Sequence, residues 1–276
     1  MDPTPRTPPT PGIDPAPGTD PAPGAREALS GDAMWPMELV HVLGHDVAVL
    51  DVGSGDRAVV LVHGISVPSR CFGPLVRTLA TTTRVIVLDL PGFGRSGRPS
   101  AALSIEEHAA VVEALVARSG LVLPVLVGHS TGAQVVTEVA ARNPGLAQRV
   151  VLIGPVAEPL APSALREAWL LVRDARREAA GANRIMVGDW LRSGPRRHLG
   201  RVPTQPGHRL EDRMGDVAEQ VLLVRGELDP VSPPAYLQRL AALARDAAVV
   251  EVADEGHLAM YRRPEVVAEL CRRAPR

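Results

Sequence analysis

Gly128-His129-Ser130-Thr131-Gly132 is the stretch on which the reading of this chain turns. A serine stands between two glycines, each two residues away from it. The apolar run 121–127 leads in and a helix-like run, 131–142, leads out. A serine on a sharp strand-to-helix turn keeps its hydroxyl exposed, and the small flanking residues let the two backbones pass closely. A serine hydroxyl is a poor nucleophile near neutral pH. It needs a general base, and the base needs an acid to orient it.

Working outward, strand and helix signals alternate. Runs 38–42 and 47–52 predict two strands joined by the turn Leu43-Gly44-His45. Further strands are predicted at 58–62, 84–88, 121–127, 150–153, 221–224 and 248–252, with helices at 73–80, 105–117 (Ser104 as N-cap), 131–142, 234–244 and 264–271. Continuously apolar strands alternating with helices indicate an α/β fold, a mostly parallel sheet covered on both faces. Between residues 156 and 216 the rhythm breaks. Helical runs at 163–180 and 184–191, set apart by Gly and Pro, read as a helical lid inserted over the C-terminal edge of the sheet. The core is then 32–155 plus 217–276. Residues 1–31 are dominated by proline and have little to bury, which predicts an extended, disordered tail.

Composition narrows the function classes. The chain has 276 residues and 45% hydrophobic residues, enough for one large α/β domain. Its formal net charge of −1 gives no electrostatic case for nucleic acid or an anionic membrane. Its longest apolar runs are strand-sized, so no membrane-spanning helix is expected. All 30 basic residues are arginine, a skew that reads as genome composition. Cys71 and Cys271 belong to no Cys-x-x-Cys pair and read as free thiols. The N-terminus lacks a basic segment followed by an apolar one, so a cytoplasmic location is expected. No metal-ligand spacing appears, and neither metal nor cofactor is expected. Gly92-x-Gly94-x-x-Gly97 has the spacing of a dinucleotide fingerprint, but it runs into Arg98-Pro99 and no helix opens on it.

In open α/β sheets ligands collect beyond the C-terminal ends of the strands. The base and acid are therefore sought on those turns. Run 221–224 ends in Arg225-Gly226-Glu227-Leu228-Asp229-Pro230, and run 248–252 ends in Ala253-Asp254-Glu255-Gly256-His257. The order is Ser130, Asp229, His257.

With these residues the chain resembles the α/β-hydrolase family, capped serine hydrolase branch, from about residue 38 to the C-terminus. The motifs that carry the resemblance are His63-Gly64, Asp89-Leu90-Pro91-Gly92-Phe93-Gly94-Arg95-Ser96, the Gly128-to-Gly132 elbow, Gly226 to Asp229, and Gly256-His257. The resemblance implies that Ser130 attacks a carbonyl, His257 relays its proton and Asp229 steadies the imidazolium. It implies an oxyanion hole from the backbone N–H groups of Ile65 and Thr131. It places the acid just before Pro230-Val231, which favours Asp229 over Glu227; Asp254 and Glu255 lie too close to His257 in sequence to orient it and are read as loop formers. His63 is expected to brace the oxyanion loop and Asp89 to form a turn, while Ser66 is a solvated turn serine or an added oxyanion donor. His129 either lines the site or packs beside the elbow. Trp169, Met186 and Trp190 of the lid line an apolar substrate pocket or pack the lid onto the core.

The expected function is cofactor-free hydrolysis of a carboxylic ester, thioester or lactone through an acyl-enzyme. The substrate is a small molecule with an apolar acyl or aromatic part. A serine at the elbow disfavours the dehalogenases and epoxide hydrolases of this fold, which use aspartate there. C–C bond hydrolysis or acyl transfer on the same residues, and a non-enzymatic small-molecule receptor, are the alternatives; fold and triad do not separate the first two from ester hydrolysis.

Overall fold

Strand Ala58–Val62 (β3) is buried at every position, which is possible only where both faces of a sheet are covered. The computed structural model describes residues 35–64, 69–156 and 208–273. Around β3 stand seven more strands: Glu38–Val42 (β1), His45–Val52 (β2), Arg84–Leu88 (β4), Val125–His129 (β5), Arg149–Ile153 (β6), Gln220–Gly226 (β7) and Ala247–Val252 (β8). They form one eight-stranded sheet in the order β1-β2-β4-β3-β5-β6-β7-β8. β2 pairs antiparallel with β1 and β4, and the six strands from β4 to β8 run parallel. The expected mostly parallel α/β architecture is the one observed.

Alternate strand residues face opposite cores. Val60, Val62, Leu126, Val150, Leu152 and Leu223 pack under helices Ile105–Arg118 (α2), Thr131–Arg142 (α3), Leu210–Met214 (α4) and Pro234–Leu243 (α5). Val59, Leu61, Val127, Val151, Ile153 and Val224 pack against Gly73–Leu79 (α1), Ala259–Arg262 (α6) and Pro264–Arg272 (α7). Leu210 and Met214 are fully buried in the first core. Cys71 and Cys271 form no disulfide and are buried in the second. Among the described residues no helix is long and apolar enough to cross a membrane.

Several element boundaries differ from the sequence reading, and two of the differences have a clear local reason. β2 begins at His45, because Leu43 and Gly44 both take positive φ and make a two-residue hairpin turn that pairs Val42 with His45. β5 begins at Val125 rather than 121. Leu123 has φ 47° and Val122 and Leu123 are 81% and 52% exposed, so this apolar run is a surface turn. The strand then extends through Gly128 and His129 into the elbow itself. The predicted tail 1–31 and the helical runs 163–180 and 184–191 lie outside the described residues.

Because β3 to β8 are parallel, their C-terminal ends share one edge. There the chain delivers Gly64, Asp89, Ser130, Gly154, Asp229 and His257.

Candidate active site

Among the described residues two serines stand at helix N-caps, and they behave differently. Ser104, with extended backbone, accepts a hydrogen bond from the Glu107 amide and closes a capping box at the start of α2. Ser130 stands at the same position of α3 with φ 55° and ψ −121°, and its side chain makes no capping bond. A serine cap contributes about 1 kcal/mol, and a left-handed non-glycine residue costs about 1–3 kcal/mol. The elbow forgoes the first and bears the second, and its hydroxyl stays uncommitted to the helix.

Close packing holds the elbow in that shape. A Cβ on Gly132 would lie 2.3 Å from the Val62 carbonyl oxygen, and one on Gly128 would lie 2.3 Å from that of Gly132. The backbone of Gly64, leaving β3, runs past the serine itself; a Cβ there would meet Ser130 Cβ at 2.8 Å and Oγ at 3.3 Å. Thr131 opens α3, so its N–H points out of the helix N-terminus with no intrahelical acceptor. Ile65 and Ser66 lie outside the described residues, as do Trp169, Met186 and Trp190.

The acid and base meet on the neighbouring loops. His257 Nδ1 is 2.8 Å from Asp229 Oδ2, with both side chains buried. A carboxylate only accepts, so Nδ1 carries the proton and Nε2 is left with a lone pair. Asp229 Oδ1 accepts from the amides of Val231 at 2.8 Å and Ser232 at 3.3 Å. Burial pushes the Asp229 carboxyl up, but the His257 charge, the His257 hydrogen bond and those two amides outweigh it and hold the group below its ordinary range.

Two residues that the sequence reading did not single out build this pair. Gly154 ends β6 with φ 53°. A Cβ there would sit 2.9 Å from His257 Cε1 and Nδ1 and 3.1 Å from Asp229 Oδ2, so only glycine leaves the pair its room. Arg225, buried near the end of β7, donates from Nε to the Ser232 carbonyl at 2.8 Å. From Nη2 it donates to those of Glu227 at 3.0 Å and Asp229 at 3.2 Å, and Nη1 pairs with Glu251. One guanidinium thus ties down the whole acid turn. The available signals were a glycine and an arginine closing buried strands.

The remaining acidic and imidazole groups have other partners. Glu227 is exposed and accepts from the Asp254 amide at 3.1 Å. Glu255 is buried between Arg262 and Arg263, each at 2.9 Å. His63 accepts the Leu90 N–H at Nε2 (3.0 Å), so its Nδ1 donates to the Gly64 carbonyl at 2.7 Å. The ring braces the two loops and keeps no lone pair for a reaction. Asp89 takes the Ser69 hydroxyl and the Arg95 amide. His129 is fully buried, its ring 4.6 Å from that of His257 and edge-on to Phe72. That is the packed position beside the elbow, one of the two left open by the sequence.

An imidazole oriented by a buried carboxylate and packed against the residue before a serine on a strained turn, with a helix N-terminus opening there, is suited to acyl transfer. The model of the Alpha/beta hydrolase family matches residues 59–270. A 2-(acetamidomethylene)succinate hydrolase of Mesorhizobium japonicum is 30% identical over 244 residues, 79% of this chain and 87% of that protein. The dihydrolipoyllysine-residue acetyltransferase component of an acetoin cleaving system from Cupriavidus necator is 28% identical over 265 residues, 87% of this chain and 69% of that one. Among solved structures Est816, described as an N-acyl homoserine lactone degrading enzyme, superposes with a TM-score of 0.76 at 24% identity. The match covers 85% of this chain and 99% of Est816.

Proposed function

We propose that this chain, which belongs to the Alpha/beta hydrolase family, is a cofactor-free serine hydrolase that cleaves a carboxylic ester, thioester or lactone. The observation that carries the reading is the buried Asp229–His257 hydrogen bond at 2.8 Å, with the imidazole packed against the residue next to Ser130. Ser130 Oγ attacks the carbonyl carbon while His257 Nε2 takes the hydroxyl proton. The tetrahedral oxyanion is received by the Thr131 N–H and by the N–H of Ile65; one such donor is worth about 3 kcal/mol of transition-state stabilisation. Collapse breaks the bond to the leaving alcohol or thiol, which takes the proton back from His257. Water then attacks the acyl-enzyme, again losing its proton to Nε2, and restores Ser130. Asp229 stays ionised throughout and steadies the imidazolium.

Residues 156–207 are assigned to a lid, with Trp169, Met186 and Trp190 as the apolar wall that receives the acyl or aromatic part; Leu210–Met214, counted with the lid in the sequence reading, packs in the core instead. The two sequence relatives named above are a 2-(acetamidomethylene)succinate hydrolase and an acetyltransferase component, which supports acyl chemistry in general and no one substrate. The test is turnover of a panel of esters, thioesters and lactones by the wild type and by Ser130→Ala. Hydrolysis of at least one class, abolished in the variant, is the expected result. Turnover that persists undiminished in Ser130→Ala overturns the assignment.

A further inference from the structure

Position 129 needs only to fill space. It closes a strand buried along its whole length, and an apolar side chain there would leave no polar atom to satisfy. The chain uses histidine instead. Its ring is 0% exposed, and among the described residues its Nδ1 has no hydrogen-bond partner. A buried unpaired acceptor costs stability. What offsets that cost lies at the other nitrogen. Nε2 is 3.1 Å from the main-chain carbonyl oxygen of His257. A carbonyl only accepts, so Nε2 carries the proton and the tautomer is fixed. Burial, and then the nearby His257, push the His129 ring down to about 3, which keeps it neutral and leaves Nδ1 bare.

The partner chosen for this bond is informative. It is the backbone of the candidate base itself, reached across 128 residues of sequence from the residue that precedes the candidate nucleophile. Asp229 sets how the imidazole is turned, and Gly154 bounds it on one side. Neither of these contacts ties the His257 main chain to the elbow. The His129 bond does, so nucleophile and base are registered to the same end of β5.

We propose that His129 is a positioning residue: its Nε2–H holds the His257 backbone at the distance from which the imidazole serves Ser130. The proposal rests on the assignment of Ser130, Asp229 and His257 made above. A shift of about 1 Å in a reacting pair costs on the order of 10²-fold in rate, so this one bond is enough to govern the acylation step.

Three variants separate positioning from mere filling. His129→Gln can place an amide N–H near the position of Nε2. His129→Asn is one methylene shorter and leaves its amide near the position of Nδ1, out of reach of the His257 carbonyl. His129→Leu fills space with no donor. The readouts are the second-order rate of labelling by a fluorophosphonate, kcat and KM on an ester that the wild type hydrolyses, and the thermal midpoint of each variant. Leu and Asn are expected to label about 10- to 100-fold more slowly, with the loss in kcat and KM little changed. Gln is expected to recover most of the wild-type rate. Asn and Gln are alike in polarity, so they decide the matter alone if Leu does not fold. Folded Leu or Asn variants that label at the wild-type rate overturn the proposal, as does a Gln variant as slow as Asn, or losses that simply follow the thermal midpoints. Failure of the underlying assignment looks different: the wild type itself goes unlabelled, or Ser130→Ala is labelled.

Discussion

Asp89 and Asp229 occupy nearly the same setting, yet only one of them faces an imidazole. Each is 3% exposed. Each follows a parallel strand, β4 or β7, at the C-terminal edge of the sheet. Each is also faced by a glycine at positive φ: a Cβ on Gly94 would lie 2.1 Å from Asp89 Oδ2, and one on Gly154 would lie 3.1 Å from Asp229 Oδ2. The difference is in the donors. Asp89 gives Oδ1 to the Ser69 hydroxyl at 2.5 Å and Oδ2 to the Arg95 amide at 2.9 Å, so both oxygens are spent on the fold. Asp229 satisfies the amides of its own turn with Oδ1 and keeps Oδ2 for His257. Burial and strand position do not distinguish these two carboxylates; the partner of the second oxygen does.

The largest expected effect breaks the comparison at Asp229. Asp229→Asn retains an acceptor for the Val231 and Ser232 amides but presents the wrong partner to His257 Nδ1, so kcat is expected to fall about 10⁴-fold with the fold kept. The check is turnover alongside a thermal melt. Asp89→Asn is expected to do the reverse. It costs about 1–3 kcal/mol by leaving a buried group of its turn mispaired, measured by urea unfolding, while turnover per folded molecule is retained.

The two glycines sharpen the same contrast. Gly154→Ala pushes a methyl group into the Asp229–His257 pair, and a fall in kcat on the order of 10²-fold is expected with KM nearly constant. Gly94→Ala places the same methyl group against Asp89. There the expected loss is in stability, about 1–3 kcal/mol for the strained backbone, and the kinetics of the folded fraction stay as in the wild type. A kcat loss shared equally by both would erase the distinction.

The smallest effect is in pH dependence. The Asp229 carboxyl is held below its ordinary value in the folded state. Its ionised form therefore contributes stability that is fully present above about pH 4, the unfolded value, and is lost as pH falls through the lowered folded one. The stability gap between wild type and Asp229→Asn is expected to narrow as pH falls below about 4, read from unfolding free energies across an acid series. A gap that widens toward acid contradicts the assigned direction.

Much of this was legible in the sequence because it is written locally. β3 and β4 are found at the predicted residues, each a short apolar run with clear edges, and Ser104 caps α2 as read. The meeting of Asp229 with His257 was legible because a parallel sheet brings every strand end to one edge. The start of β5 was misread because hydrophobicity alone does not distinguish a surface turn from a strand; the positive φ of Leu123 decides it. The contacts of His129, Gly154 and Arg225 were illegible for another reason. Their partners lie on other strand ends, and no local pattern in the chain records that one glycine leaves room for a histidine far along it.

The central claim, that Ser130 is the activated nucleophile of this site, is tested most directly by intact-protein mass after exposure to a fluorophosphonate, with peptide mapping of the adduct. The expected result is one adduct, located on Ser130 and absent from a folded Ser130→Ala variant. An adduct on another residue, one that persists in Ser130→Ala, or a folded wild type that takes up no label would contradict the account.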